Sequence, residues 1–175
     1  MAMIALGAAP PDWTIERWLG LGGGTPPRLD ALRGQVVAIE VFQMLCPGCV
    51  LHALPQAVRL HASGEAAVIG LHSVFEHHEA MGEAALAAFL HEFRIPFPVG
   101  VDAREPGERL PLTFRAWGLR GTPTLLLLDR WGRVRHLHFG PLEDLALGLM
   151  VGRLAAERFP PPAIALGGSG VAEGR

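Results

Sequence analysis

Hydrophobic residues in this chain gather into a few runs whose length and spacing separate strands from helices. Val36, Val37, Ile39, Val41 and Phe42 form a proline-free run of β-branched and aromatic residues, the composition of a buried strand. Residues 66–75, 97–101 and 125–128 are three more apolar runs of strand length. Residues 134–139 follow the last of these across Asp129-Arg130-Trp131-Gly132, which predicts a β-hairpin. Helical spacing shows in residues 83–93, where Leu86, Phe89, Leu90 and Phe93 recur at intervals of three and four, and again in residues 143–159. Residues 50–62 have helical character, with Pro55 expected to kink them. Residues 29–34 and 112–117 read as short helical turns, each stopped by a glycine.

The ends of the chain are less regular. Trp13, Ile15, Trp18 and Leu19 read as a short element that caps an apolar surface, with both tryptophans packed into the core. Gly22, Gly23, Gly24, Pro26 and Pro27 make a flexible loop. The expected organisation is an N-terminal extension and Gly/Pro loop over 1–28, one domain over 29–159, and a tail of disordered composition over 160–175. Half of the 175 residues are hydrophobic and 18% are charged, which excludes a disordered chain. A formal net charge of -2 argues against a nucleic-acid groove or an anionic-membrane surface. No apolar stretch reaches the roughly 18 residues of a membrane span. The first residues lack the basic start of a signal sequence, so the expected location, with the chain read as complete, is the cytoplasm.

Two cysteines are too few for a disulfide scaffold, and their spacing points to chemistry. The core strand runs into Cys46-Pro47-Gly48-Cys49. Pro47 suits a first helical position, where its missing N–H costs nothing. Two cysteines three residues apart then share one helix face and lie close enough to bridge. A thiol at the helix start meets free backbone N–H groups and the positive end of the helix dipole, and both favour the thiolate. Cys46 is thus the expected nucleophile and Cys49 the resolving thiol. Glu40 is the only charged residue of the strand, six positions before Cys46. Buried beside a dithiol it would hold its proton more tightly and exchange it with the resolving thiol; at a strand edge it would simply face solvent. A zinc half-site is the other reading of the cysteines, but the chain has no further cysteine and no histidine at the usual short spacing. His72 reads as a packed or hydrogen-bonded core residue, His77 and His78 as a solvated loop pair, and His136 and His138 as a surface pair on one face of a strand.

These motifs resemble the thioredoxin-like superfamily. Residues 40–49, EVFQMLCPGC, are similar to its active site, and residues 117–134, WGLRGTPTLLLLDRWGRV, to its second signature. The resemblance covers residues 29–159. It implies an α/β fold: a three-layer α/β/α thioredoxin fold with a mixed central sheet, here with an inserted helix and an N-terminal extension. The segment between residues 75 and 97 resembles the TlpA-like or AhpC/TSA-type redoxin branch, which carries a helix there. By the same resemblance Pro123 is a cis-proline facing the cysteines and Thr122 the residue before it, whose backbone would pair with an extended peptide. The chain departs from the pattern at Leu45, in place of the usual tryptophan, in the order of Pro47 and Gly48, and at Pro55, one residue late. His52 and Ala53 stand where TlpA-like proteins often carry an acid, so Glu40 is the only acid carried over.

The function expected from these residues is thiol–disulfide oxidoreduction. Its partners would be a protein or small-molecule disulfide or dithiol, with a thioredoxin-type reductant among the candidates, and no cofactor is implied. The alternative is a peroxiredoxin-type peroxidase with Cys46 as the peroxidatic cysteine. Gln43 argues against it, because such enzymes place a threonine three residues before that cysteine. A third class is a non-enzymatic binding module in which the cysteines are a local staple.

Overall fold

The computed structural model describes residues 3–159, so the tail expected from residue 160 lies outside the described residues. Six strands form one mixed sheet. In chain order they are β1 (Ile15–Leu19), β2 (Val37–Phe42), β3 (Ala67–His72), β4 (Val99–Asp102), β5 (Thr124–Leu128) and β6 (Val134–Phe139). Across the sheet they lie in the order β1-β4-β3-β2-β5-β6. β2, β3 and β4 are parallel, whereas β5 runs antiparallel to β2 and β6 antiparallel to β5. The strand that delivers the cysteines is therefore central and is paired on both sides. All six of its residues are buried, which is why it reads as a continuous apolar run and not as an alternation.

Helices cover both faces. On one face lie α1 (Leu54–Ser63), α2 (Glu83–Glu92) and α4 (Asp144–Ala156). Leu54, Ala57, Leu60, Leu86, Leu90, Leu147, Val151 and Leu154 pack there with Ala38, Phe42 and Cys49. On the other face α3 (Leu112–Ala116) and the 3-10 turn Leu29–Leu32 cover Val37, Ile39, Val41, Ile69, Leu71, Leu126 and Leu128. The helix expected between β3 and β4 is α2. None of the helices described is long and apolar enough to cross a membrane.

Two expectations are corrected and a third is refined. Residues 15–19 do not cap the sheet but extend it: β1 pairs antiparallel with β4, and Trp18 packs over Gly100. The N-terminal segment is tied in as well. Trp117 Nε1 donates to Pro11 O at 2.9 Å, and Val134 N donates to Ala8 O at 2.8 Å. Phe93 was expected on the buried face of its helix, yet it is 52% exposed and stacks on Phe89 at 4.3 Å between ring centroids. It falls at the helix end, where the ring has only its neighbour to cover it. Pro55 stands where two helical forms join. The chain widens into a π turn over Cys49–Ala53 and then continues as α1 with the proline in its first turn. A π turn accommodates both the N–H that proline lacks and the room its ring needs.

Candidate active site

β2 ends at Phe42, and the chain turns through Gln43, Met44 and Leu45 into Cys46. Cys46 N donates to Gln43 O at 3.1 Å, closing that turn. Cys46 O then accepts from Cys49 N at 3.0 Å and Val50 N at 3.1 Å, so Cys46 starts the helix as expected, with Pro47 just inside it. Both cysteines are free thiols, but their environments differ. Cys46 is half-buried at the surface, whereas Cys49 is fully buried.

The Cys46 sulfur is held from two sides. Cys49 N–H donates to its Sγ at 3.3 Å, and the Cys46 thiol donates to Thr122 O at 3.5 Å. When the thiol ionises the second bond is lost and the first remains, because a thiolate only accepts. Burial pushes the Cys49 thiol up, and its hydrogen bond with Cys46 adds to this. Hydrogen bonds from the Gln43 backbone and the Thr122 side chain pull it back down. One sulfur is thus accessible, while the other is kept protonated inside.

The Thr122–Pro123 peptide bond is cis, as the resemblance implied, and Pro123 packs on the cysteine loop. A Cβ on Gly48 would come 3.3 Å from Pro123 Cδ, so the backbone of Gly48 is what lets the ring in so close. Gly48 has ordinary helical backbone angles, so space and not conformation is what the glycine provides here. Leu45, 55% exposed, and Phe139, 52% exposed and lying over Gly121, flank the motif with apolar surface.

Glu40 lies beneath. It is 3% exposed, and burial alone raises its pKa to about 8. It shares a sheet face with Ala38 and Phe42, whose cluster includes Cys49, so the buried reading of Glu40 holds and the solvent-edge reading does not. One of its oxygens, Oε1, has no hydrogen-bond partner. His72, on the adjacent strand, is buried and neutral: desolvation lowers its pKa to about 4, and its Nε2 is also without a partner. It is packed, as expected, against Phe42 at 5.2 Å between rings.

His136 and His138 lie opposite Leu127 and Leu125 on one face of the sheet and are half-buried. Among the described residues no three His, Cys, Asp or Glu side chains come together to hold a metal ion. A groove of about 330 Å³ between α1 and α4, lined by Gln56, Arg59, Leu60, Asp144, Leu147 and Val151, contains none of the site residues.

Gln43, which the sequence marked only as a departure from a peroxidase, has contacts that the sequence did not show. It is 1% exposed, and its side chain reaches Thr122 Oγ1 through Nε2 at 3.4 Å and accepts from Phe75 N through Oε1 at 3.3 Å. The signal for these contacts was a polar residue at the end of a buried run. The partners that give it meaning are 32 and 79 residues away.

A cysteine pair at the start of a helix, a buried acid on the strand before it and a cis-proline loop against the accessible sulfur thus come together at one end of the central strand. The chain belongs to the thioredoxin-like superfamily and is of the thiol–disulfide oxidoreductase class. It is 47% identical to a thioredoxin-like superfamily protein of known crystal structure, with a TM-score of 0.82 over 89% of this chain and 100% of that one. It is 44% identical to a thiol-disulfide isomerase from Corynebacterium glutamicum, with a TM-score of 0.81 over 87% of this chain and 99% of that one. It is also 30% identical over 138 residues to Protein DipZ of Mycobacterium tuberculosis. That match covers 77% of this chain and 19% of DipZ, so the chain spans about a fifth of that relative's length. No family model matches the chain.

Proposed function

We propose that Cys46 attacks the disulfide of a partner and that Cys49 resolves the resulting mixed disulfide. The Cys46 thiolate attacks one sulfur of the partner, a Cys46–partner disulfide forms, and the other partner sulfur leaves as a thiolate that takes up a proton. Cys49 then loses its proton and attacks the Cys46 sulfur. The Cys46–Cys49 disulfide forms, and the second partner sulfur leaves as a thiol. The same steps in reverse oxidise a partner dithiol. The observation that carries this reading is the asymmetry of the pair: Cys46 is accessible and bonded by a backbone N–H, whereas Cys49 is fully buried.

In this reading Glu40 exchanges a proton with Cys49. A pKa of about 8 keeps most of its population protonated at neutral pH while leaving a carboxylate fraction able to accept. Thr122 and Pro123 form the edge on which an extended peptide docks by backbone pairing, and Leu45 and Phe139 supply apolar surface beside it. These features favour a polypeptide disulfide as substrate. The peroxidase alternative gains no support from Gln43, whose amide is spent on Thr122 and Phe75.

The test is trapping. Cys49→Ser protein should accumulate a mixed disulfide with an oxidised peptide, located at Cys46 by mass spectrometry, and Cys46→Ser protein should accumulate none. Trapping through Cys49 in the Cys46→Ser protein would overturn the assignment. Peroxide consumption by the reduced protein faster than peptide disulfide reduction would overturn it in favour of the peroxidase.

A further inference from the structure

Gln43 holds two parts of the site at once. Its backbone carbonyl accepts from Cys46 N–H at 3.1 Å, and its side-chain amide lies 3.4 Å from Thr122 Oγ1. A third group sets the directions of the side-chain bonds. The Phe75 ring packs against Phe114 at 5.1 Å between centroids, and the Phe75 carbonyl accepts from Arg109 Nε at 3.2 Å, so the Phe75 peptide is anchored on both sides. Its N–H can only donate, so the Gln43 atom facing it, at 3.3 Å, is the carbonyl oxygen. The amide nitrogen therefore turns to Thr122 Oγ1, which accepts from it. Gln43 is 1% exposed, so water competes little for these bonds.

A second bond joins the same two parts, and it is conditional. The Cys46 thiol donates to Thr122 O at 3.5 Å only while it carries its proton. A Cys46 thiolate, or a Cys46 bonded to a partner, has no proton to donate. Thr122 O is then free to accept from the backbone of an extended partner peptide. The Gln43–Thr122 bond involves neither sulfur, so it persists through both states.

We propose that Gln43 is a positioning residue for docking, which keeps the Thr122 edge in register with the Cys46 sulfur once the Cys46–Thr122 bond is broken and so favours an extended polypeptide disulfide over a small one. The inference rests on the disulfide-exchange reading above and adds to it a residue that acts through Thr122. No proton or electron passes through the Gln43 amide, and the bonds made and broken at sulfur are those already given. Without the amide the partner peptide must order the edge as it binds, at the expense of affinity. A small disulfide has no backbone to lay along the edge and gains nothing from it.

The experiment compares two substrates. Reduced full-length protein turns over a peptide disulfide or a small aromatic disulfide with dithiothreitol as reductant, and kcat and KM are measured for each. Gln43→Met keeps the volume and removes the amide. It should raise KM for the peptide disulfide about fivefold, the weight of one neutral hydrogen bond, with kcat held within about twofold. Neither constant for the small disulfide should move by more than about twofold. Thr122→Val removes the accepting oxygen and should raise the peptide KM by the same factor, and Gln43→Met in that background should add nothing. Thr122→Ser keeps the oxygen and should show little of the rise. The inference is overturned if Gln43→Met leaves the peptide KM in place, lowers kcat instead, affects both substrates alike, or acts undiminished without the Thr122 hydroxyl. Should Gln43→Met fail to fold, Thr122→Val and Thr122→Ser decide, and equal peptide KM values for these two overturn the inference. A wild-type protein that turns over neither disulfide would overturn the disulfide-exchange reading, and this inference with it.

Discussion

Glu40 and His72 extend from neighbouring parallel strands onto the same face of the sheet, and each leaves a buried polar atom unpaired, Glu40 Oε1 and His72 Nε2. Glu40 lies opposite Gly70, and His72 lies opposite Phe42, two residues further along each strand. Both groups are buried in the form that carries no charge, and in both the cause is desolvation. Burial stabilises the neutral acid and the neutral base alike, so their effects on stability have opposite signs with pH.

Glu40 has its pKa raised in the folded state, from 4.5 to about 8. Between these values the folded protein holds a proton that the unfolded chain has released, so stability is lost as pH rises across that window. Glu40→Gln has no proton to lose. Its melting temperature should exceed that of the wild type by a margin that grows from pH 4.5 to pH 8, reaching roughly 3–5 kcal/mol of stability. Thermal unfolding of both proteins across this range measures it, and a constant difference would show that Glu40 is not desolvated. In the mixed-disulfide assay the same variant should slow resolution by tenfold or more, of the order expected for loss of a proton-transferring group.

His72 works in the other sense. Its pKa is depressed from 6.5 to about 4, so the unfolded chain binds the proton first, and stability is lost as pH falls from about 6.5 toward 4. His72→Phe should abolish this loss, so that the gap between variant and wild type widens in favour of the variant on acidification. Denaturant titrations at pH 7 and pH 4.5 would show it. A gap that stays the same at both values would mean that His72 carries its charge in the folded protein.

Gly48 faces Pro123 with 3.3 Å between the proline Cδ and the position a Cβ would take. Gly48→Ala therefore asks the proline ring to give way by a few tenths of an ångström. Helical backbone at this site suits alanine, so stability should change by less than about 1 kcal/mol. Displacement of the docking edge should instead raise KM for a peptide disulfide severalfold while a small aromatic disulfide reacts as before. An equal effect on both substrates would locate the change at Cys46 itself.

Asp102 closes a structural network. Its carboxylate accepts from Thr113 N at 2.8 Å, Phe114 N at 2.9 Å and Ser73 Oγ at 2.8 Å, joining the end of β4 to the start of α3 and the end of β3. Asp102→Ala leaves three buried donors unsatisfied and should cost roughly 3 kcal/mol or more, read as a lower denaturation midpoint. Resolution and trapping at the cysteines should persist in the folded fraction, because no sulfur touches this network.

The reduction potential of the Cys46–Cys49 pair bears on direction and compartment together. With the cytoplasmic location expected from the sequence goes a potential near about −270 mV, as for thioredoxin-like reductants. Equilibration against a thiol redox buffer measures it. A value near about −120 mV would make the protein an oxidant and would remove the support for a cytoplasmic setting.

Much of this protein could be read from the chain alone. The central strand, the cysteine pair at the start of a helix, the hairpin and the amphipathic helices depend on local composition and on periodicity, and those are properties of the sequence. For Glu40, a single charge inside an unbroken apolar run, the sequence offered a buried and a solvent-facing reading, and the central place of β2 decided between them. Other features were decided by the tertiary structure. Trp13 and Trp18 gave no sign that residues 15–19 would become an edge strand, since edge pairing depends on a partner, β4, eighty or more residues away. The π turn before Pro55 was not legible, because helical spacing over residues 50–62 does not tell an α turn from a π turn. Gln43 shows the division most clearly. A lone polar side chain at the end of a buried run has no assigned role until the fold brings Phe75 and Thr122 to it, because a hydrogen bond's direction is set by both of its partners and here both come from distant parts of the chain.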